Sequence, residues 1–260
     1  MTVLSAAILG VVQGLTEFLP VSSSGHLVLA GALLGVPEGS LSFDIMVHLG
    51  TLTAVLAVYR ADIARLIAGI AARRRPDLVL AGLLVLGSIP AGIAGFLLAD
   101  GVESLFDSPA VVSAMLLVTG TVLFSTRFFR AGDRREPRAA GSLAVGLSQA
   151  VAILPGVSRS GMTISAGLLA GLGRESAARF SFLLSIPAIL GAALLDLTGG
   201  DGIGTLDPGV AATGFALSAV TGYFALRLLI RFLAAGRFHL FAWYCWALGG
   251  IGLALTAGSA

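Results

Sequence analysis

The chain has 260 residues, 57% of them hydrophobic and 12% charged, with a formal net charge of +2. That apolar share is more than a water-soluble domain can bury, and so slight a positive balance excludes a polyanion-binding face and, with it, nucleic acid as a partner. All 16 cationic side chains are arginines, and the 35 glycines and nine prolines suit helices in lipid, where neighbouring helices satisfy freed backbone groups.

A bilayer core about 30 Å thick takes roughly 20 apolar residues as helix. The first apolar stretch, residues 3–19, stops at Pro20 and the polar run Ser22, Ser23, Ser24, Gly25 and His26, and apolar character resumes over 27–36. Neither half is long enough to cross, which predicts a re-entrant helix pair with its loop at membrane depth. The stretch has no basic leader and carries Glu17 inside it, so it is expected to stay in the mature protein rather than to act as a cleaved signal. Spans are predicted next at 43–59, 78–99 and 108–126. A second broken segment, 142–172, is interrupted by Pro155, Gly156, Ser158, Arg159, Ser160 and Gly161, and three more spans follow at 175–197, 208–231 and 238–257. The lone Cys245 is expected to pack, and Phe241, Trp243, Tyr244 and Trp246 around it read as an interfacial belt beside His239. The expected fold is an all-α integral membrane protein with six transmembrane helices and two re-entrant helix pairs.

The two broken segments are copies of one another. At a constant offset of 136, residues 10–35 overlay 146–171 with ten identities in 26 positions, at 10, 13, 21, 22, 24, 25, 30, 31, 33 and 35 of the first copy. Gln13 falls on Gln149, Ser22 on Ser158, Ser24 on Ser160 and Gly25 on Gly161. The pair Gly31 and Gly35 matches Gly167 and Gly171, a small-residue spacing expected to pack helices closely. Three spans lie between the copies, an odd number, so the second copy is expected to enter from the opposite side. This is an inverted-topology repeat within one membrane domain, 1–130 against 139–260. Arginine placement agrees: Arg60, Arg65 and Arg73 to Arg75, then Arg127 to Arg138, then Arg227, Arg231 and Arg237 mark cytoplasmic loops. The alternate loops carry Glu38, Asp100, Glu103, Asp107, Asp201 and Asp207, and are expected outside together with both termini.

Ionisable residues at membrane depth are expensive and mark function by default. The broken segments hold three: Glu17, His26 and Arg159. The inverted repeat is expected to bring them together near the midplane with half-helix N-termini that offer free amides to an anion. Each part suits a phosphate ester or anhydride. Arg159 offers a planar fork for two phosphate oxygens. Gly25, Gly156 and Gly161 let backbone approach, and the hydroxyls of Ser22, Ser24, Ser158, Ser160 and Thr163 are donors for the remaining oxygens. Glu17, with Gln13 one turn away on the same helix face, is an oxygen ligand for a hard divalent cation. Two readings of the nucleophile stand: Ser23 activated by His26, or His26 attacking phosphorus itself. Against these stand structural roles: serines bond back to their own helix, and an Arg159–Glu17 pair serves packing alone. His48 is divided evenly between packing and the pocket, and Asp44 is expected at the start of its helix.

At these residues the sequence resembles the undecaprenyl-diphosphate phosphatase family of the bacitracin-resistance type. The likeness lies in Gln13-Gly-Leu-Thr-Glu17-Phe-Leu-Pro20-Val-Ser-Ser-Ser-Gly-His26 and in Pro155-Gly-Val-Ser158-Arg159-Ser160-Gly-Met-Thr163. It extends to Phe43-Asp-Ile-Met-Val-His-Leu-Gly50 and Phe180-Ser-Phe-Leu-Leu-Ser-Ile-Pro187. The resemblance implies hydrolysis of undecaprenyl diphosphate to the monophosphate and inorganic phosphate, which recycles the cell-wall lipid carrier and protects against bacitracin. It also implies a divalent cation, Mg2+ or Ca2+, and a site in the bacterial inner membrane that opens to the outer, periplasmic face. Gln13 departs from members with a second Glu there: it keeps an oxygen ligand and loses the charge. Lipid phosphatases that share a Ser-Gly-His stretch are set aside, because this chain has no Lys and no His near Arg159. The implied partners are the polyprenyl diphosphate and membrane lipids, with a homodimer left open. The rival function is a polyprenyl-phosphate flippase using the same pocket, since broken inverted repeats are common in carriers.

Overall fold

The computed structural model describes residues 1–36, 41–106, 108–129, 132–198 and 206–257. Among these the α-helices are α1 (Val3–Phe18), α2 (Ser23–Leu33), α3 (Leu41–Val58), α4 (Arg60–Ala71), α5 (Arg75–Phe106), α6 (Pro109–Ser125), α7 (Ala139–Val151), α8 (Arg159–Leu169), α9 (Arg174–Thr198), α10 (Pro208–Ala234) and α11 (Phe241–Ala257). Of the acidic loop residues expected outside, Glu38, Asp107 and Asp201 lie outside the described residues. Helix starts are set by short polar caps. Thr2 forms a capping box with Ser5, Ser108 accepts from the Val111 amide ahead of α6, and Asp207 accepts from the Gly209 and Val210 amides ahead of α10. Pro109 and Pro208 open their helices at positions whose amide has no intrahelical partner to lose.

Five stretches are long and apolar enough to cross a bilayer: Arg75–Leu98, Pro109–Phe128, Arg174–Leu194, Pro208–Ala234 and Phe238–Ala257. They fall on five of the six expected spans. The sixth, α3, reaches spanning length only together with α4, which it meets at a 76° bend. Residues 60–71 were expected as an arginine-bearing loop. They are helical because Ile63 and Leu66 share one face and pack on the core, while Arg60 and Arg65 stay exposed. Asp62 of α4 pairs with Arg179 of α9 at 2.8 Å and ties the bent segment to the bundle.

Helices α1, α2, α7 and α8 have 16, 11, 13 and 11 residues, each too short to cross. Each broken segment packs on a long helix from the other half of the chain, α1 on α10 and α7 on α5. Gly10 and Gly146, equivalent positions of the repeat, make both crossings. A Cβ on Gly10 would stand 2.8 Å from the Gly214 carbonyl oxygen, and one on Gly146 would collide with the Gly87 backbone. The small-residue spacing at Gly31 and Gly35 behaves otherwise: a Cβ at either would meet nothing within 4 Å, whereas one at Gly167 would touch Ala177 at 3.2 Å. The expected close packing therefore holds for Gly167 and fails for the first copy, whose α2 has Gly25 as its one buried residue. Phe18, next to Glu17, packs edge-on against Phe182 at 5.6 Å, and Tyr59 stacks on the same ring at 6.0 Å. This aromatic group fixes the last turn of α1, from which the site is built.

Candidate active site

Glu17 is the hub. It sits in the last turn of α1 at 8% exposure, and both carboxylate oxygens are engaged. Oε1 accepts from Nη2 of Arg159, the first residue of α8. Oε2 accepts from the Ser23 hydroxyl, at the first position of α2, at 2.7 Å, and from Gln13 Nε2 at 2.9 Å. The two broken loops thus meet on one carboxylate through the residues that occupy equivalent positions in the repeat. A buried acid without such partners would be strongly destabilising, and this one has a cation and two neutral donors. His48 adds to the ring: its Nδ1 lies 2.7 Å from the Asp44 carbonyl and its Nε2 3.8 Å from Glu17 Oε2. Of the two roles left open for His48, the structure gives the pocket.

The expected pairing of Ser23 with His26 is not formed. Ser23 gives its proton to Glu17, while His26 Nδ1 lies 2.8 Å from the Ser22 carbonyl and Nε2 2.7 Å from the Tyr244 hydroxyl. Spacing of i, i+3 does put both side chains on one helix face, but the acceptor nearest Ser23 is the carboxylate. Tyr244, read from sequence as belt, is a site residue instead. It lies 218 positions from His26 in sequence, so no local pattern in the chain announces the contact.

The remaining candidates build the walls. Ser22 and Ser24 share a hydrogen bond of 3.2 Å, and Ser158 and Ser160 share one of the same length. Ser158 also caps α8 by accepting from the Gly161 amide at 3.1 Å, so that amide is spent within the cap and is not offered to a ligand. Gly25 and Gly156 give close approach to α6 at Val112, with Gly156 at φ +87°. Thr119 of α6, not singled out in the sequence, donates to the Gly156 carbonyl and accepts from the Ser158 amide. Thr163 donates to the Arg159 carbonyl at 2.8 Å and shares a hydrogen bond with Ser181 at 2.5 Å, so it braces the turn that carries Arg159. Cys245 is buried, with its thiol 3.4 Å from the Pro20 carbonyl.

For a divalent cation the protein offers two oxygen sources. The Gln13 amide turns its nitrogen to Glu17, which leaves its oxygen buried without a partner. No group of three or more His, Cys, Asp or Glu side chains forms a metal cluster among the described residues. Such a pair fits a cation that takes most of its coordination from phosphate oxygens and water, as Mg2+ does.

A bundle of long apolar helices with two broken pairs, and a buried carboxylate on which a guanidinium and a hydroxyl from the two breaks meet, defines a polytopic membrane protein. The chain belongs to the family of the bacitracin resistance protein BacA, whose pattern matches residues 6–251. It is 48% identical over 269 residues to an undecaprenyl-diphosphatase of Desulfosudis oleivorans, covering 96% of this chain and 97% of the relative. It is also 42% identical to undecaprenyl-diphosphatases of Desulforapulum autotrophicum, over 96% of each chain, and of Methanosphaera stadtmanae, over 98% of each.

Proposed function

We propose that this protein hydrolyses undecaprenyl diphosphate to undecaprenyl phosphate and inorganic phosphate, and so returns the cell-wall lipid carrier to use and lowers the target of bacitracin. The observation that carries the reading is the meeting of Ser23 and Arg159 on the two oxygens of Glu17, in a chain whose relatives are named as diphosphatases. The flippase reading has no support from those names.

In the proposed reaction the diphosphate competes with Glu17 for the fork of Arg159, which suits two phosphate oxygens. Glu17, released from its cation, takes the proton of Ser23. The Ser23 oxygen bonds to the terminal phosphorus, the bond to the bridging oxygen breaks, and undecaprenyl phosphate leaves with that electron pair. Water then attacks the phosphoserine, the bond to the Ser23 oxygen breaks as Glu17 returns to it the proton it took, and inorganic phosphate departs with both protons of the water. Gln13 and Glu17 are the residues that would hold a divalent cation, Mg2+ or Ca2+, whose chemistry is to neutralise charge on the diphosphate oxygens. Phosphate release from undecaprenyl diphosphate by the purified protein in detergent tests the reading; no release above a Glu17→Gln control would sink it.

The membrane placement is part of the same proposal. The arginine loops face the cytoplasm of a bacterial cell, the two halves enter the inner membrane from opposite sides, and the Glu17 centre opens to the periplasmic face. Cysteines introduced at Arg135 and Glu103 distinguish the faces: labelling from outside is expected at 103 and not at 135. The opposite pattern would overturn the inverted arrangement.

A further inference from the structure

His26, four residues into α2, has its ring fixed on three sides. Nδ1 faces the Ser22 carbonyl at 2.8 Å, and a carbonyl only accepts, so Nδ1 carries a proton. In the neutral ring Nε2 is then the lone-pair nitrogen, and the Tyr244 hydroxyl at 2.7 Å donates to it. The two rings are also stacked, 13° from parallel with centroids 5.7 Å apart. The next residue, Cys245, is buried against the Pro20 carbonyl at 3.4 Å, so consecutive residues of α11 dock on the first broken loop at two points. Ser22, between those points, holds a left-handed backbone at φ 66° without being glycine, a conformation that persists only where surroundings enforce it. Tyr244 itself is 48% exposed, so burial does not explain why its hydroxyl meets an imidazole.

We propose that Tyr244 is a positioning residue for the phosphatase site: its hydroxyl holds His26 in one rotamer and one tautomer and so fixes the first turn of α2, which carries Ser23. This rests on the function proposed above. An imidazole free to turn would let go of the Ser22 carbonyl beside Ser23 and loosen the first turn of α2, and misplacement of the attacking hydroxyl by about 1 Å costs on the order of 100-fold in rate. The hydroxyl is the part of Tyr244 that fixes Nε2; the ring face supplies stacking alone.

Tyr244→Phe separates these contributions, since it keeps the ring and removes the hydroxyl. Turnover of undecaprenyl diphosphate by the purified full-length variant is expected to fall about 10- to 100-fold with KM changed by less than about threefold. In a His26→Ala background the same substitution is expected to have no further effect, because residues that act through one another are not additive. Cys245→Ala, which removes the neighbouring docking contact and leaves the hydroxyl, is the reference for loosened packing of α11 and is expected to retain turnover. Parent turnover in Tyr244→Phe, an equal fall with and without His26, or an equal fall in Cys245→Ala each overturns the proposal. A parent protein that releases no phosphate defeats the proposed function instead, whereas an active parent with an indifferent Tyr244→Phe defeats only the role of the tyrosine.

Discussion

The broken segment of α1 and α2 and that of α7 and α8 share ten of 26 residues, yet they fold into unlike halves of one site. In the second, Ser158 has an extended backbone, caps α8 through the Gly161 amide and is buried with Ser160, Thr163 and Ser165. In the first, the matching Ser22 sits at φ 66° and makes no cap, and Gly25 is the one buried residue of α2. The positions that are identical carry the scaffold: Gly10 and Gly146 make the helix crossings, and the serine pairs 22 with 24 and 158 with 160 keep the same 3.2 Å bond. The acid, the nucleophile and the cation stand at positions that differ. Glu17 stands opposite Ile153, Ser23 opposite Arg159, and His26 opposite Met162. The repeat supplies two matching frames, and divergence at two of these places, 17 and 23 of the first copy, supplies the acid, the cation and the hydroxyl that one frame alone does not hold.

If the differing positions carry the reaction, their loss should dominate. Glu17→Gln and Ser23→Ala are each expected to lower kcat by about 1,000-fold or more, with the double variant little worse, since base and nucleophile act as a unit. Multiplying losses in phosphate-release assays would break the pairing of base and nucleophile. Arg159→Lys should fall by roughly 10- to 100-fold, because an ammonium keeps the charge but not the fork. Near-parent turnover in that variant would reduce the arginine to a counter-ion for Glu17. The smallest effects sharpen the contrast between the two serines. Ser158→Ala loses a cap and should cost about 1 kcal/mol of stability, whereas Ser22→Ala, with no cap to lose, should stay within about 0.5 kcal/mol in thermal or denaturant unfolding. Equal costs would mean that the two loops are held alike.

Much of this was readable from the chain. Segment lengths set against bilayer thickness give five spans and both broken pairs, and the cost of charge at membrane depth singles out Glu17, His26 and Arg159. What was not readable depended on competition among acceptors or on contacts remote in sequence. The spacing of Ser23 and His26 fits a mutual hydrogen bond, but the Ser22 carbonyl and the Glu17 carboxylate take those groups first. Tyr244 reads as interfacial because it lies in an aromatic run with Phe241, Trp243 and Trp246, and nothing local signals that its hydroxyl meets His26. Helix α4 was hidden by its arginines, which mark a cytoplasmic loop by charge while Ile63 and Leu66 bind one face to the core.

The central claim is that Ser23, held by Glu17, is the attacking group. Rapid-quench mixing of the protein with undecaprenyl diphosphate labelled in its terminal phosphate tests it most directly, with the protein digested and the labelled peptide sequenced. The account predicts transient, acid-stable label on Ser23 that forms and decays at rates consistent with turnover and is absent in Glu17→Gln. Acid-labile label on His26, or full turnover with no label on the protein at any time, would contradict it.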